Sequence, residues 1–190
     1  MKIGVLALQG GFRPHLEAVT ALGADAFEVR VPRDLAAADA VVIPGGESTA
    51  VGRLLVTSGL LDPLTDRLQA GLPALGTCAG LILLASEVVD GRPDQAVLGA
   101  IDLTARRNAH GRQRESFEAD LEIDGLAGGP FPGVFIRAPA IERVGPGVEV
   151  LARLDGQPVA ARSGPVLVCA FHPELSGDLR FHQRFLREVS

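Results

Sequence analysis

Gly76-Thr77-Cys78-Ala79-Gly80 stands between the apolar run Leu72-Pro73-Ala74-Leu75 and a second apolar run, Leu81-Ile82-Leu83-Leu84. The first run reads as a buried strand and the second as the opening of a helix. A chain that turns sharply from strand to helix needs small residues on both sides of the turn, and Gly76 and Gly80 supply them. The residue at the apex is then pushed out above the end of the sheet. Here that residue carries a thiol. A helix start directs backbone N–H groups toward such an atom and favours its anion.

Outward from this joint, the N-terminal half repeats one theme. Ile3 to Leu8 reads as a strand closed by glycines, followed by a helix over 12–22 with Phe12, Leu16, Val19 and Leu22 on one face. Phe27 to Val31 is a second strand, and Asp39-Ala40-Val41-Val42-Ile43 a third, stopped by Pro44-Gly45-Gly46. Helices are expected over 47–58, 60–70 and 79–86. Nearly all-apolar strands alternating with helices imply a parallel sheet covered on both faces. After residue 90 the pattern changes. Strand-like runs at 97–105, 116–123, 133–137, 148–154, 157–162 and 166–171 are separated by Gly, Pro and Asp, so more antiparallel pairing is expected. Asp155-Gly156 reads as a tight hairpin turn. A helix over 176–189 ends the chain. The expectation is a single domain over 1–190. It is a three-layer α/β sandwich with a mixed, mainly parallel central sheet and a site at the carboxyl ends of its strands.

Composition narrows the function. Of 190 residues, 47% are hydrophobic, so a sizeable core is available, built from aliphatic residues because there are eight Phe and no Trp or Tyr. A net charge of −5 without clustered Lys and Arg argues against nucleic acid. No run approaches the ~20 apolar residues of a membrane span, and the N-terminus lacks the length and cleavage region of a signal peptide. Two cysteines, Cys78 and Cys169, suit a reducing cytoplasm. No Cys/His cluster has metal-ligand spacing, so no metal is expected. Cys169 lies inside an apolar run without a glycine frame and reads as core.

A base for the thiol is available downstream. His172-Pro173-Glu174 follows the apolar run 166–171. In an extended segment, positions i and i+2 face the same side, so Glu174 can hold the His172 tautomer while His172 exchanges protons with Cys78. His15 and His182 fall in expected helices and read as solvated; His110 has no assigned role. Pro44-Gly45-Gly46-Glu47-Ser48-Thr49 follows another strand end. Its glycines let backbone N–H groups approach a substrate as oxyanion donors, each worth about 3 kcal/mol in the transition state. The plainer reading is a turn in which Ser48 or Thr49 caps the next helix. Arg106-Arg107-Asn108 and Phe135-Ile136-Arg137 put cations at strand ends, where one could bind a carboxylate.

Taken together these stretches resemble the class I (triad) glutamine amidotransferases. The resemblance is strongest to the branch that forms glutaminase subunits of pyridoxal 5′-phosphate synthase. Ile3 to Gly10, Pro44 to Thr49, Gly76 to Leu81, Arg107-Asn108 with Gly111-Arg112-Gln113, Ser116 to Leu121, Gly133 to Pro139 and Phe171 to Leu175 carry it. It implies hydrolysis of L-glutamine to glutamate and ammonia, with Cys78 as nucleophile, His172 as acid and base, and Glu174 as its orienter. It also implies glutamine binding by Gly45, Gly46, Glu47, Arg107, Ile136 and Arg137. The partner it implies is a synthase subunit in a hetero-oligomer, with no cofactor on this chain. Gly11 to Pro14 and Arg106 depart from the family pattern, which bears on docking and on carboxylate binding. Two other readings compete: a non-catalytic regulatory module, and an elbow-cysteine protein of a peptidase-like or stress-response class. The intact Cys-His-Glu set and the arginine segments weigh against both.

Overall fold

The computed structural model describes residues 1–92, 95–107 and 116–189. Asn108, His110 and Gly111 to Gln113 lie outside the described residues. The first half alternates as expected: β1 (Lys2–Leu6), α1 (Phe12–Ala21), β2 (Asp25–Val29), α2 (Pro32–Ala36), β3 (Ala40–Ile43), α3 (Ser48–Thr57), α4 (Leu61–Gln69), β4 (Ala74–Thr77) and α5 (Ala79–Leu84). The second half contains β5 (Ala85–Val89), β6 (Ile101–Arg106), β7 (Ser116–Leu121), β8 (Phe131–Ile136), β9 (Ala140–Val144), β10 (Glu149–Leu154), β11 (Gln157–Ser163) and β12 (Val166–Cys169). A single 3-10 turn at Pro173–Leu175 and α6 (Arg180–Val189) complete it.

A seven-stranded sheet in the order β10-β11-β12-β4-β3-β1-β2 forms the centre. β12, β4, β3, β1 and β2 run parallel, and the β10–β11 hairpin closes one edge antiparallel. β3, β4 and β12 are buried at every position, as strands covered on both faces must be. α1 packs on α6, while α2, α3, α4 and α5 pack on one another in a separate row. Right-handed crossovers put these two groups on opposite faces, giving the three layers. β5-β6-β9 and β7-β8 form two small sheets beside the core. Asp155 and Gly156 both have positive φ, 51° and 80°, the backbone of a two-residue hairpin turn.

Several boundaries differ from the sequence reading. The expected helix over 79–86 stops at Leu84, because Ala85 leaves to pair with Ile101 and begin β5. The run expected from 97 becomes strand only at Ile101. Pro32 does end the preceding strand region, but it also starts α2, where its missing N–H costs nothing. Asp34 then accepts the backbone N–H of Arg30 and of Val31, each at 3.1 Å.

One aromatic cluster bears directly on the site. Phe131 and Phe135 of β8 pack on Phe171, with ring centroids 5.7 and 5.8 Å apart, and Phe171 packs on Phe181 of α6 at 5.2 Å. Each such pair adds roughly 0.5–1.5 kcal/mol beyond its burial. The His172 N–H donates to Val134 O at 2.8 Å. The segment leaving β12 is thus pinned on both its side-chain and backbone sides just where His172 emerges.

Candidate active site

β3, β4 and β12 end side by side, and the three sequence segments of interest leave from those ends. Cys78 caps α5 with φ 50° and ψ −103°, a left-handed backbone that an L residue rarely adopts. Its N–H donates to Cys169 O at 2.9 Å, which ties the elbow to the end of β12. The two flanking glycines are required by contact. A Cβ on Gly76 would lie 2.6 Å from Leu84 Cδ1 and 2.8 Å from Gly80 O, and one on Gly80 would lie 2.0 Å from Ile43 O.

The Cys78 thiol and the His172 imidazole line the same cavity, and the charge of each acts on the other. On the other side of that ring, Nδ1 is 2.8 Å from Glu174 Oε1. The segment is not extended, as the sequence reading had it. The 3-10 turn at Pro173–Leu175 curls the chain back, and this turn brings the carboxylate under the ring. Glu174 is almost wholly buried, its side chain 1% exposed. Burial alone would raise its pKa, but hydrogen bonding to His172 and the nearby imidazoles outweigh burial and lower it. Burial likewise disfavours a charged His172. The interactions with Cys78 and Glu174 prevail there too, and the pKa rises to about 10. A protonated imidazole is the neighbour that suits a nucleophilic sulfur.

A cavity of about 470 Å³ opens over this pair, lined by Cys78 and His172 and by all six of Gly45, Gly46, Glu47, Arg107, Ile136 and Arg137. A Cβ on Gly45 would sit 2.4 Å from His172 Cε1 and 3.3 Å from Cys78 Cβ, so any side chain there would occupy the space of the reacting pair. Glu47, rather than Ser48 or Thr49, caps α3: its carboxylate accepts the N–H of Thr49 at 3.1 Å and of Ala50 at 2.7 Å. Its Oε1 also meets Arg107 Nη2 at 2.8 Å, and Arg107 Nη1 donates to Thr49 Oγ1 at 2.7 Å. A carboxylate reaching Arg107 therefore shares it with Glu47. Arg137 adopts φ 43°, so two non-glycine residues with left-handed backbone line the same cavity. Arg106 pairs with Asp90 and Glu142, which absorb its charge away from the cavity.

The profile of the SNO glutamine amidotransferase family matches residues 5–190. The chain belongs to the SNO glutamine amidotransferase family. It is similar to a protein of Mycobacteroides abscessus called pyridoxal 5′-phosphate synthase subunit PdxT, 58% identical, with 98% of this chain and 96% of that protein covered. A Parafrankia protein of the same description is 55% identical over 99% of this chain and 93% of its own length. A solved structure described as a glutamine amidotransferase superposes with a TM-score of 0.93 at 52% identity, covering 98% of both chains.

The sequence reading missed one part of the site in this family member. His15 and His182 are not solvated; both are fully buried. His15 Nε2 lies 3.3 Å from Glu174 Oε2 and 3.2 Å from Thr77 Oγ1, and its Nδ1 is 2.9 Å from His182 Nε2. Cys169, by contrast, is core as read, and burial pushes its pKa well up.

The raised pKa of His172 gives a direct expectation. In NMR titration its ring should stay protonated through neutral pH and lose its proton near pH 10. The contacts to Cys78 raise the value, so Cys78→Ala should lower it. An unchanged or higher value in that variant would show that Cys78 does not help to hold the proton on His172.

Proposed function

We propose that the chain is a glutaminase that feeds ammonia to a pyridoxal 5′-phosphate synthase. The reading rests chiefly on one observation: a thiol and an imidazole share the floor of a cavity, with a buried carboxylate 2.8 Å behind the ring. Membership in a glutamine amidotransferase family and the names of its relatives supply the substrate class and the consumer of the product.

In this mechanism the Cys78 thiolate attacks the side-chain amide carbon of L-glutamine. Backbone N–H groups of the Gly45-Gly46 loop steady the oxyanion that forms. His172 gives its proton to the departing nitrogen, the C–N bond breaks, and ammonia leaves a γ-glutamyl thioester. Water then enters. His172 takes its proton, the C–S bond breaks, glutamate leaves, and the Cys78 thiolate beside a protonated His172 is restored. Glu174 keeps the His172 Nδ1–H directed at itself, so that Nε2 faces the sulfur. Glu47, Arg107, Ile136 and Arg137 line the wall that receives the amino-acid end of the substrate.

The whole of residues 1–190 acts as one domain in this reading, in the cytoplasm, docked on the synthase subunit in a hetero-oligomer. Among the described residues no helix is long and apolar enough to cross a membrane. The decisive experiment measures ammonia release from glutamine with and without the synthase subunit, alongside labelling by a thiol-alkylating glutamine analogue. Turnover stimulated by the partner and a label on Cys78 are expected. No turnover and no label with the partner present would refute the assignment.

A further inference from the structure

The row of contacts does not stop at Glu174. Oε1 of that carboxylate meets His172, but Oε2 is sealed from solvent and has no hydrogen bond among the described residues. A buried carboxylate oxygen without a donor is costly. A donor stands 3.3 Å away, the Nε2 of His15 on α1. That nitrogen is aligned on Thr77 Oγ1 at 3.2 Å, so its attraction to Glu174 at rest is electrostatic rather than a formed hydrogen bond. Behind His15, Nδ1 is 2.9 Å from Nε2 of His182 on α6.

The protons in this row can be assigned. Burial lowers the pKa of both rings, that of His182 to about 3, so each is neutral and carries one N–H. If His182 holds its proton on Nε2, it donates to His15 Nδ1. His15 then carries its proton on Nε2, facing Thr77 and Glu174. The Nδ1 of His182, which has no partner among the described residues, is left as a bare acceptor. The reverse assignment strands an N–H at His182 Nδ1 with nothing to receive it. It also aims a lone pair of His15 at the carboxylate. The first assignment alone avoids both penalties.

We propose that His15 is a positioning residue for the glutaminase reaction: its Nε2–H, fixed by His182, faces the second Glu174 oxygen and holds the carboxylate in the orientation that steadies His172. The proposal rests on the glutaminase reading, and it makes the set behind the sulfur four residues deep. The groups that face Glu174 are His172 on its own turn, His15 from α1 with His182 behind it from α6, and Cys169 at the end of β12. β8, which also packs on that turn, brings no titratable side chain.

The test has an arm that needs no activity. In the unmodified protein, nitrogen-detected NMR should find His15 and His182 both neutral and both protonated on Nε2. A proton on His15 Nδ1 would overturn the proposal. In the complex with the synthase subunit, His15→Leu should lower kcat by about ten- to a hundredfold, by analogy with the hydrogen-bond partners that orient metal-bound imidazoles, with KM unchanged. The acid limb of its pH–rate profile should move to higher pH, because Glu174 loses a neighbour that favours its charged form. His15→Gln keeps an N–H near the Nε2 position and should recover most of kcat and the normal limb. A His15→Leu protein with wild-type kcat and limb refutes the idea. So does a uniform loss at every pH that glutamine cannot rescue. If the unmodified complex hydrolyses no glutamine, the functional reading fails, while the tautomer measurement still decides the arrangement of His15.

Discussion

Cys78→Ala is expected to cut glutamine hydrolysis by about ten-thousand-fold or more while leaving the melting temperature close to that of the unaltered protein. The size follows from covalent catalysis: without the sulfur there is no thioester, and what survives is the contribution of oxyanion donors and binding, as in other triads stripped of their nucleophile. The fold should tolerate the change because, among the described residues, the sulfur makes no short hydrogen bond; its approach to Ile136 O is 3.9 Å. The measurement is ammonia release in the presence of the synthase subunit, with thermal melts of both proteins. Undiminished, partner-stimulated release would remove Cys78 from the mechanism, and with it the account of His172 given above.

Gly80→Ala should have the largest effect on stability, and its sign is opposite to what helix propensity suggests. Gly80 lies in α5, where alanine is normally better by about 1 kcal/mol. The added Cβ, however, would stand 2.0 Å from Ile43 O and 2.9 Å from Ile43 C. Those are backbone atoms of a central strand and cannot rotate aside. α5 and β3 must separate, which costs about 3 kcal/mol on the scale of overpacked cores. For a chain of this length that corresponds to a Tm lower by roughly 6–12 °C. Because β3 leads into Gly45 and α5 begins at Cys78, activity should fall as well. A melting temperature equal to or above that of the parent would show that the elbow is looser than the contact implies.

How much of this was legible depends on how local each signal is. The elbow was readable because glycine spacing and two apolar runs lie within a dozen residues of one another. The His172–Glu174 pair was readable as a pair, but its geometry was not: a 3-10 turn rather than an extended segment makes the contact, and Pro173 permits both. The residues around Gly45, Arg107 and Arg137 acquired meaning only through family resemblance, since strand-end arginines and Gly-Gly turns are common. His15 and His182 were misread for an identifiable reason. Attention to Phe12, Leu16, Val19 and Leu22 put His15 beside the apolar stripe, yet His15, Ala18, Val19 and Leu22 also have i, i+3, i+4, i+7 spacing. Likewise His182 sits between Phe181 and Phe185 on the buried side of α6. A polar ring inside a hydrophobic stripe was the available sign of a buried partner. β5 and β9 escaped notice because partly exposed short strands carry little periodic signal.

β4 and β12 are hydrogen-bonded neighbours, Ala74 opposite Val166 and Thr77 opposite Cys169, although about half the chain separates them. During synthesis the ribosome releases the sulfur-bearing elbow long before the strand that carries the imidazole. On the proposed mechanism a nascent chain holds an incomplete hydrolytic centre until the last strand has emerged and slotted into its place. Chains that stop short of His172 should therefore release no ammonia from glutamine.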